Sequence, residues 1–460
     1  MLCDVYATAL SNDIYAIRTK DNSVTRKDIL DAAHELARRL SDDGAKGRPY
    51  LVPFDNPIDY FISILALNLA GAIAVPCRQD ALADADYIKK LVAPKGVLHP
   101  GGRIEPIGEG RNDLPGDIVL LTTGSTGAPK GVVLTFGQVI MNCALAGDRI
   151  GIRECDYWCV EVDLSFTSGL CHMLMAWINQ VPLYHTKDIE GDALNDIFAA
   201  HKSGFGGSPI QLSKLCDLLK DKAAPTKVMS SGDFLPMSYV EKILSRFPNT
   251  QINRFYGLTE LSGRFCSLPH QLILSAPNSV GLPLPGFEVE IRDEDGALCT
   301  AGTIGDVWAK SPLLMQGYIR VGQDFEDVGA NNDGWFNTND KGSLSENGLI
   351  TLMGREHDVF KVGGEKVSRT EIEATLSKFI TTEFVVLPVE HPSFGVMPVL
   401  FAERGDGLPD WQDIRSFAFA NLEAKFVPMQ GFVMDELPRT NTGKIIRKAL
   451  TDDTDMFERL

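Results

Sequence analysis

The chain has 460 residues, with 44 Lys or Arg against 61 Asp or Glu, so its formal net charge is −17. At roughly 100–200 residues per domain this length predicts more than one domain. A hydrophobic content of 44% is enough to build sizeable cores, which excludes disorder as the main state. The acidity argues against a general nucleic-acid-binding surface, because phosphate contacts need a basic face.

No membrane span or targeting segment is expected. The longest apolar stretch, residues 61–76, is interrupted by Asn68 and is shorter than the ~20 residues that a membrane helix needs. The first residues lack the basic start and apolar core of a secretory signal. The nine cysteines are scattered without a C-x-x-C pair, and Cys155, Cys159 and His172 make a poor zinc pattern. We therefore expect reduced, mostly buried thiols in a cytoplasmic protein.

The N-terminal part alternates between helical and strand-like segments. Residues 25–40 place their apolar side chains on one helical face, and Thr25 and Asp28 have the spacing of a capping box. The next segments are a strand-like run, an apolar segment and a second buried strand, at 48–53, 59–70 and 72–76. This order is typical of βαβ units and predicts an α/β fold.

The alternation continues along the chain. Residues 101–116 are rich in Gly, Pro and charge, which predicts a loop before the apolar strand 117–122. Between 194 and 291, short apolar runs alternate with helical stretches at 209–220 and 236–246. A new unit with its own strands and helices begins after about residue 353.

The sharpest chemical signal is the segment LTTGSTGAPKGV at residues 121–132, directly after a buried strand. Glycine-freed backbone N–H groups, hydroxyl donors and the cation of Lys130 suit a polyphosphate. The segment is not a Walker loop, because Pro129 stands where that pattern requires glycine before the lysine.

Four other segments carry weaker signals when each is taken alone: 253–260, 333–340, 354–367 and 437–447. In the first, Tyr256 is suited to stack on a base and Glu260 to hold Mg²⁺. In the second, Asp340 is suited either to bind a ribose diol or to cap a turn. Each of the last two also fits a basic, solvated face.

Together and in this order, the five segments resemble the motifs of the adenylate-forming superfamily. This superfamily includes acyl- and aryl-CoA synthetases, the adenylation domains of nonribosomal peptide synthetases and firefly luciferase. The matching positions are 122–131 (T-[ST]-G-[ST]-T-G-x-P-K-G), 256–260 (Y-G-x-T-E), 338–340 (T-x-D), 354–355 (G-R) and 438–444 (P-x-T-x-x-G-K). The resemblance covers nearly the whole chain.

The resemblance implies two domains and two half-reactions. Residues 1–353 would form a large domain of βαβ-type sheets that binds ATP and a carboxylic acid, and residues 354–460 a small, mobile α+β domain. The carboxylate attacks the α-phosphate of ATP to give an acyl-adenylate and pyrophosphate, and a thiol then displaces AMP. ATP, Mg²⁺ and either CoA or the phosphopantetheine of a carrier protein are the implied cofactors.

The resemblance also assigns residues to roles. Lys444 would be the adenylation lysine, placed where charge builds on the transferring phosphoryl group. The residues implied for the phosphates and Mg²⁺ are Thr122, Thr123, Gly124, Ser125, Thr126, Gly127, Lys130, Thr259 and Glu260. Those implied for adenine and ribose are Gly232, Asp233, Tyr256, Gly257, Asp340 and Arg355.

The chain departs from the family pattern at the hinge and in the acid pocket. The hinge position holds His357, followed by Asp358, either of which could serve. Phe166 stands where many CoA ligases carry histidine, and Thr167 stands where amino-acid-activating domains carry aspartate, which disfavours an α-amino acid substrate. Gly206 and Ser208 would sit beside the pocket, where Gly206 and Gly207 leave room.

We therefore expect an ATP-dependent ligase that joins a non-amino, aryl or short to medium acyl acid to CoA, with Gly364 and Lys366 near the thiol. The alternative is a stand-alone adenylation enzyme that loads an acyl or aminoacyl group onto an acyl carrier protein. Its docking patch would be the basic cluster formed by Arg439, Lys444, Arg447 and Lys448. A non-catalytic nucleotide sensor is a third, minor reading.

Overall fold

A computed structural model describes most of the chain. The described residues are 15–79, 85–123, 129–186, 192–328, 332–355, 359–362, 365–391, 395–439, 445–451 and 458–460. The described helices are α1 (Arg26–Asp42), α2 (Pro57–Leu69), α3 (Ala85–Val92), α4 (Phe136–Ile150), α5 (Thr167–Ile178), α6 (Asp192–Ala200), α7 (Pro209–Leu218), α8 (Met237–Arg246), α9 (Arg369–Leu376), α10 (Trp411–Asn421) and α11 (Lys448–Thr451).

The strands fall into four described sheets. Up to residue 268 they are β1 (Tyr15–Arg18), β2 (Ser23–Thr25), β3 (Pro49–Phe54), β4 (Ile73–Arg78), β5 (Gly96–His99), β6 (Arg103–Pro106), β7 (Ile118–Thr123), β8 (Pro129–Leu134), β9 (Tyr157–Val160), β10 (Leu183–His185), β11 (Ser203–Gly207), β12 (Lys227–Ser230), β13 (Gln251–Tyr256) and β14 (Cys266–Leu268). The later strands are β15 (Ser279–Pro283), β16 (Glu288–Arg292), β17 (Gly305–Lys310), β18 (Gly317–Ile319), β19 (Glu326–Asp327), β20 (Trp335–Leu344), β21 (Ile350–Arg355), β22 (Val359–Val362), β23 (Glu365–Ser368), β24 (Phe384–His391), β25 (Gly395–Glu403), β26 (Gln430–Met434) and β27 (Glu458–Arg459).

The amino-terminal helix follows from its local sequence. Thr25 Oγ1 accepts a hydrogen bond from the backbone N–H of Asp28, and Asp28 Oδ2 accepts one from the N–H of Thr25, so the predicted capping box is present. The buried residues of α1 lie on one face. Helices α2, α7 and α8 and strands β3, β4 and β7 also lie where the sequence placed them, within a few residues.

The largest sheet has 13 strands in the order β16-β17-β20-β21-β15-β14-β13-β12-β11-β9-β10-β1-β2. Its central strands β10, β9, β11, β12 and β13 run parallel, so their carboxyl ends meet at one edge. Parallel strands of this kind are connected by helices, here α5 to α8, which confirms the α/β fold class. The segments that follow these strand ends therefore lie side by side.

A second sheet of eight strands has the order β19-β18-β8-β7-β4-β3-β5-β6. Strands β7 and β8 pair antiparallel on either side of the predicted phosphate loop, with Thr122 opposite Lys130. On its other side β8 pairs with β18, which places Tyr318 opposite Val132. The hairpin therefore places Lys130 in the second sheet, next to the predicted phosphate loop in the sequence.

The structure of the first 120 residues contains one strand that the sequence did not predict. The prediction of a loop over 101–116 was wrong for its first part, because residues 103–106 form the edge strand β6, which turns back on β5 through Pro100 and two glycines. The apolar stretch 61–76 is divided between α2 and β4. In the part of the chain that the structure describes, no helix is long and apolar enough to cross a membrane.

The C-terminal residues pack around cores of their own. The described core residues up to Ile350 fall into three clusters, whereas Phe360 and the buried residues after it form two others around β24, β25 and α10. This partition supports the proposed division near residue 354. Tyr239 of α8 reaches across the two parts and donates a hydrogen bond to Glu383.

The eight described cysteines form no disulfide with one another. Seven of them are buried, as expected for thiols that act as small apolar side chains. Cys299 is the exception, since it is only half-buried beside β16.

Candidate active site

The predicted adenine and ribose residues meet at the carboxyl end of β13. Tyr256 is the last residue of that strand, and its hydroxyl donates a hydrogen bond to Asp340 Oδ2. Burial, followed by the charge of Asp340, raises the pKa of Tyr256 well above its ordinary value, so the phenol keeps its proton. The ring of Tyr256 also packs against Phe265, with centroids 5.6 Å apart. The side chains predicted to stack on the base and to bind the ribose are thus held together across 84 residues of sequence.

Asp340 is aimed by a bulge in β20. Its neighbour Asn339 has φ of 60°, a left-handed conformation that asparagine tolerates better than most residues. Thr338 Oγ1 donates to the carbonyl of Val307 at 2.8 Å and accepts from the N–H of Asp340 at 3.2 Å. The T-x-D motif therefore forms the bulge itself, and the register places Asp340 opposite Arg355 of β21.

The predicted metal and phosphate residues also make contact. Lys130 Nζ lies 2.9 Å from Glu260 Oε1, and both side chains are largely buried. Tyr318 donates its hydroxyl to the same oxygen at 2.8 Å, and Lys130 Nζ lies 3.8 Å from the centre of the Tyr318 ring. Burial and the charge of Glu260 raise the pKa of Tyr318. Tyr318 was not predicted, because β18 reaches the site only through sheet pairing.

This arrangement fits a magnesium ion bound together with phosphates. Both described partners of Glu260 use Oε1, which leaves Oε2 able to accept a cation. No group of three or more His, Cys, Asp or Glu residues suited to a metal occurs among the described residues. Mg²⁺ commonly uses one or two carboxylates and takes its other ligands from phosphate and water, so one glutamate here is sufficient.

Thr259 lies between the predicted nucleotide-binding residues and the predicted acid pocket. It opens the short 3₁₀ turn Thr259–Leu261 after β13, and its Oγ1 lies 2.8 Å from Oγ1 of Thr167 at the start of α5. Gly257 cannot carry a side chain, because a Cβ there would lie 1.7 Å from the carbonyl oxygen of Gly263. The turn that presents Thr259 and Glu260 therefore depends on this close backbone approach.

Other predicted nucleotide residues lie at the same edge. Gly232 follows β12 with φ of +93°, and open space lies beside it. Asp233 is exposed, and its Oδ1 accepts from the N–H of Phe234. Near the end of β7, the buried Oγ1 of Thr122 has no hydrogen-bond partner among the described residues. A buried hydroxyl of this kind suits an oxygen-rich ligand such as a phosphate.

The acid side differs from expectation in one respect. Phe166 is the residue before α5, half-buried, with the guanidinium of Arg78 5.9 Å from its ring centre. The expected room beside Gly206 is filled by His172, whose ring would lie within 2.3 Å of an added Cβ. The glycine thus makes space for a protein side chain rather than for the acid. Ser208 caps α7 through its Oγ.

Several predicted residues cannot be placed. Those that lie outside the described residues are Gly124, Ser125, Thr126, Gly127, His357, Gly364 and Lys444. Thr123, Arg355 and Lys366 lie in β7, β21 and β23, but their side chains are outside the description. Their roles stay predictions.

Arg439 does not belong to the predicted basic docking patch. Arg439 is largely buried and forms ion pairs with Glu383 at 3.1 Å and Glu403 at 3.2 Å. Its charge is therefore neutralised inside the C-terminal unit, and including Arg439 in a carrier-docking surface was wrong.

Comparison with known proteins agrees with this geometry. Residues 112–319 match the family model of the AMP-binding enzymes. The 2-succinylbenzoate–CoA ligase of Bacillus velezensis is 28% identical, with 96% of each chain covered. The ATP-bound MatB structure from Rhodopseudomonas palustris matches with a TM-score of 0.85 at 21% identity, covering 98% of this chain and 97% of that one. The o-succinylbenzoate CoA synthetase of Bacillus subtilis, in complex with its acyl-adenylate intermediate, matches with a TM-score of 0.82 at 21% identity and 98% coverage of both chains.

The fold, the matched segment and the clustered motif residues agree with one another. Residues 112–319 match the AMP-binding enzyme family, and the chain resembles the adenylate-forming superfamily, as its motifs implied.

Proposed function

We propose that this protein is an ATP-dependent acid–CoA ligase, which adenylates a non-amino carboxylic acid and then transfers the acyl group to the thiol of CoA. The observation that carries the proposal is the convergence of two contacts at one sheet edge, Tyr256 with Asp340 and Lys130 with Glu260. The similarity to 2-succinylbenzoate–CoA ligases over 96% of the chain supports an aryl acid as substrate and CoA as acceptor.

Each side chain has a role in this scheme that follows from its position. Tyr256 packs on adenine while its hydroxyl orients Asp340 toward the ribose. Lys130 and Tyr318 fix Glu260 through one carboxylate oxygen, so the other oxygen would hold Mg²⁺. When bound, Mg²⁺ supplies charge neutralisation on the phosphates. Thr259, at the junction with α5, is placed to bind the α-phosphate next to the attacking carboxylate, and Lys444 would stabilise the charge that develops there.

Pyrophosphate release would test the adenylation step. The protein would be incubated with ATP, Mg²⁺ and hydroxylamine, without CoA, against aryl, short-chain, fatty and amino acids. We expect one non-amino class to support turnover, with large losses in Glu260→Gln and Lys444→Ala. Glu288→Gln, at an exposed position of β16, is the matched control. Activation of amino acids alone, or equal activity of Glu260→Gln, would overturn the proposal.

The thiol acceptor needs a separate experiment. With the active acid identified, CoA and a phosphopantetheinylated carrier protein would be compared as acceptors by mass spectrometry. We expect the acyl-CoA, because burial of Arg439 in its ion pairs removes a cation from the surface that an acidic carrier would need. Acyl transfer to the carrier without acyl-CoA formation would establish the alternative acceptor. Lys444→Ala should still transfer the acyl group from a supplied adenylate.

A further inference from the structure

A buried arginine lies beside the start of α5 without a counter-charge. Arg264 is 5% exposed, and no carboxylate of a described residue lies within ion-pair distance of its guanidinium. Nη2 donates to Ser168 Oγ at 3.1 Å, while the buried Nε has no hydrogen-bond partner among the described residues. Burying a cation with so few acceptors is costly, because its hydration is lost without replacement.

The second buried arginine of this region shows what a structural role requires. The Nε of Arg254 also has no partner among the described residues, but its two Nη atoms donate to three backbone carbonyls, those of Leu235, Pro277 and Ser279. Arg264 has no carbonyl acceptor of this kind among the described residues, although its own backbone is clamped on both sides by the amide of Asn142. The main chain of Arg264 is thus fixed, while the described residues offer its guanidinium one hydroxyl acceptor.

The neighbouring histidine does not supply an acceptor. Trp158 Nε1, which can only donate, lies 3.2 Å from His172 Nδ1, so Nδ1 must be the unprotonated nitrogen. Burial, followed by the charge of Arg264, lowers the pKa of His172 well below its ordinary value, so the ring is neutral and carries its proton on Nε2. Nε2 lies 3.5 Å from Nη2 of Arg264. Two donors therefore face each other, and no acceptor joins them.

The helix adds a third feature that favours an anion. Helix α5 has 12 residues, and no side chain of a described residue caps its amino end, so its first N–H groups have no side-chain acceptor. Ser168 and His172 lie one turn apart on this helix, inward from Thr167, whose hydroxyl meets Thr259. Arg264 and His172 Nε2 are thus near Thr259, on the side where the carboxylic acid is proposed to bind.

We propose that Arg264, Ser168 and the Nε2–H of His172 form an anion subsite, and that the activated acid carries a second carboxylate which binds there. This inference rests on the proposed ligase function and names its substrate class, a dicarboxylic acid. The first carboxylate reacts beside Thr259, and the second neutralises Arg264. A monocarboxylate would leave the guanidinium buried and unpaired, which is the origin of the discrimination.

Acids that differ only in the second carboxylate test the specificity. The pairs are glutarate with pentanoate and 2-succinylbenzoate with 4-oxo-4-phenylbutanoate, each assayed by pyrophosphate release. We expect the wild type to prefer a dicarboxylate. Arg264→Met should lower kcat/KM for that acid by about 10- to 100-fold, the range expected for a lost hydrogen bond to a charged group, and leave the monocarboxylate almost unchanged. Arg264→Lys should recover part of the loss. Equal losses for both members of a pair would overturn the subsite.

A stability measurement tests the subsite without relying on catalysis. In the protein without substrate, Arg264→Met removes an unpaired buried cation and should leave Tm unchanged or raise it. Arg254→Met, the matched buried arginine, removes three satisfied hydrogen bonds and should lower Tm. Titration calorimetry with the dicarboxylates alone should show binding to the wild type and loss in Arg264→Met. A fall in Tm of Arg264→Met equal to that of Arg254→Met would refute the subsite, whereas failure of pyrophosphate release with every acid would refute only the ligase function.

Discussion

The hydroxyl of Tyr318 can be removed without disturbing the rest of its environment. In Tyr318→Phe the ring remains beside Lys130, so the cation–π contact at 3.8 Å is kept and only the hydrogen bond to Glu260 is lost. Glu260 Oε1 retains Lys130 as a partner, so no buried charge becomes unpaired. The substitution therefore isolates one donor that fixes the proposed metal ligand.

The size of the effect follows from the type of bond. A hydrogen bond to a charged group contributes about 1.5–3 kcal/mol. Since 1.4 kcal/mol corresponds to tenfold, Tyr318→Phe should reduce kcat/KM for MgATP by roughly 10- to 100-fold. Tyr318→Leu also removes the cation–π contact, which contributes about 0.5–2 kcal/mol at partly buried sites, and should cost a further two- to thirtyfold.

Pyrophosphate release measured over a range of Mg²⁺ concentrations would reveal whether the loss acts through the metal. We expect Tyr318→Phe to need more Mg²⁺ for half-maximal rate, with Tm little changed. Tyr157→Phe removes a hydroxyl that interacts with Arg18 far from this centre and serves as the control. An unchanged Mg²⁺ dependence in both Tyr318 variants would refute the role of Tyr318 in orienting Glu260.

Three other substitutions probe separate features. Asn339→Gly should keep the bulge, whereas Asn339→Val should destabilise the protein by about 1–2 kcal/mol in urea unfolding and raise KM for ATP, because a β-branched residue resists the left-handed conformation that aims Asp340. Folding lowers the pKa of His172, so the unfolded chain binds more protons below pH 6.5 and the free energy of unfolding should fall on acidification. His172→Gln should reduce the slope of the free energy of unfolding against pH by at most ~1.4 kcal/mol per pH unit, measured by urea unfolding between pH 7.5 and 5.5. Tyr239→Phe removes the hydrogen bond to Glu383 and should speed amide hydrogen exchange around Glu383.

Each of these predictions has an outcome that would contradict it. For the bulge, Ser343→Val at a β20 position without positive φ should be tolerated, and equal damage from it would contradict the conformational argument. For the titration, a slope in His172→Gln equal to that of the wild type would contradict the effect of burial on the pKa of His172. For the contact across the two units, unaltered exchange around Glu383 would show that the Tyr239 hydroxyl does not hold them together.

The helices and strands that the sequence predicted correctly depend on local interactions. The capping box of α1 involves residues three apart, and the apolar runs of β3, β4 and β7 are continuous. Strand β6 was missed because it is short, polar and at an edge, where pairing with β5 rather than its composition decides its conformation.

The site was predictable only as far as its motifs reach. Tyr256, Glu260 and Asp340 were identified because they stand within recognisable patterns. Tyr318 was not, since its place beside Lys130 results from the pairing of β18 with β8, almost 190 residues apart in sequence. The sequence also cannot distinguish Arg264 from an exposed arginine, because its burial depends on the packing of α4 and α5 around it.

The parallel strands also determine which distances in the site can change. Ser208 follows β11 and Tyr256 ends β13, and β12 joins the two strands by continuous hydrogen bonding. Two strand spacings separate them by about 10 Å, and a hydrogen-bonded sheet holds that separation constant. The distance between Tyr256 and Ser208 should therefore stay the same in both half-reactions of the proposed ligase. Any movement that converts the enzyme from adenylation to thioester formation must then involve segments outside these strands.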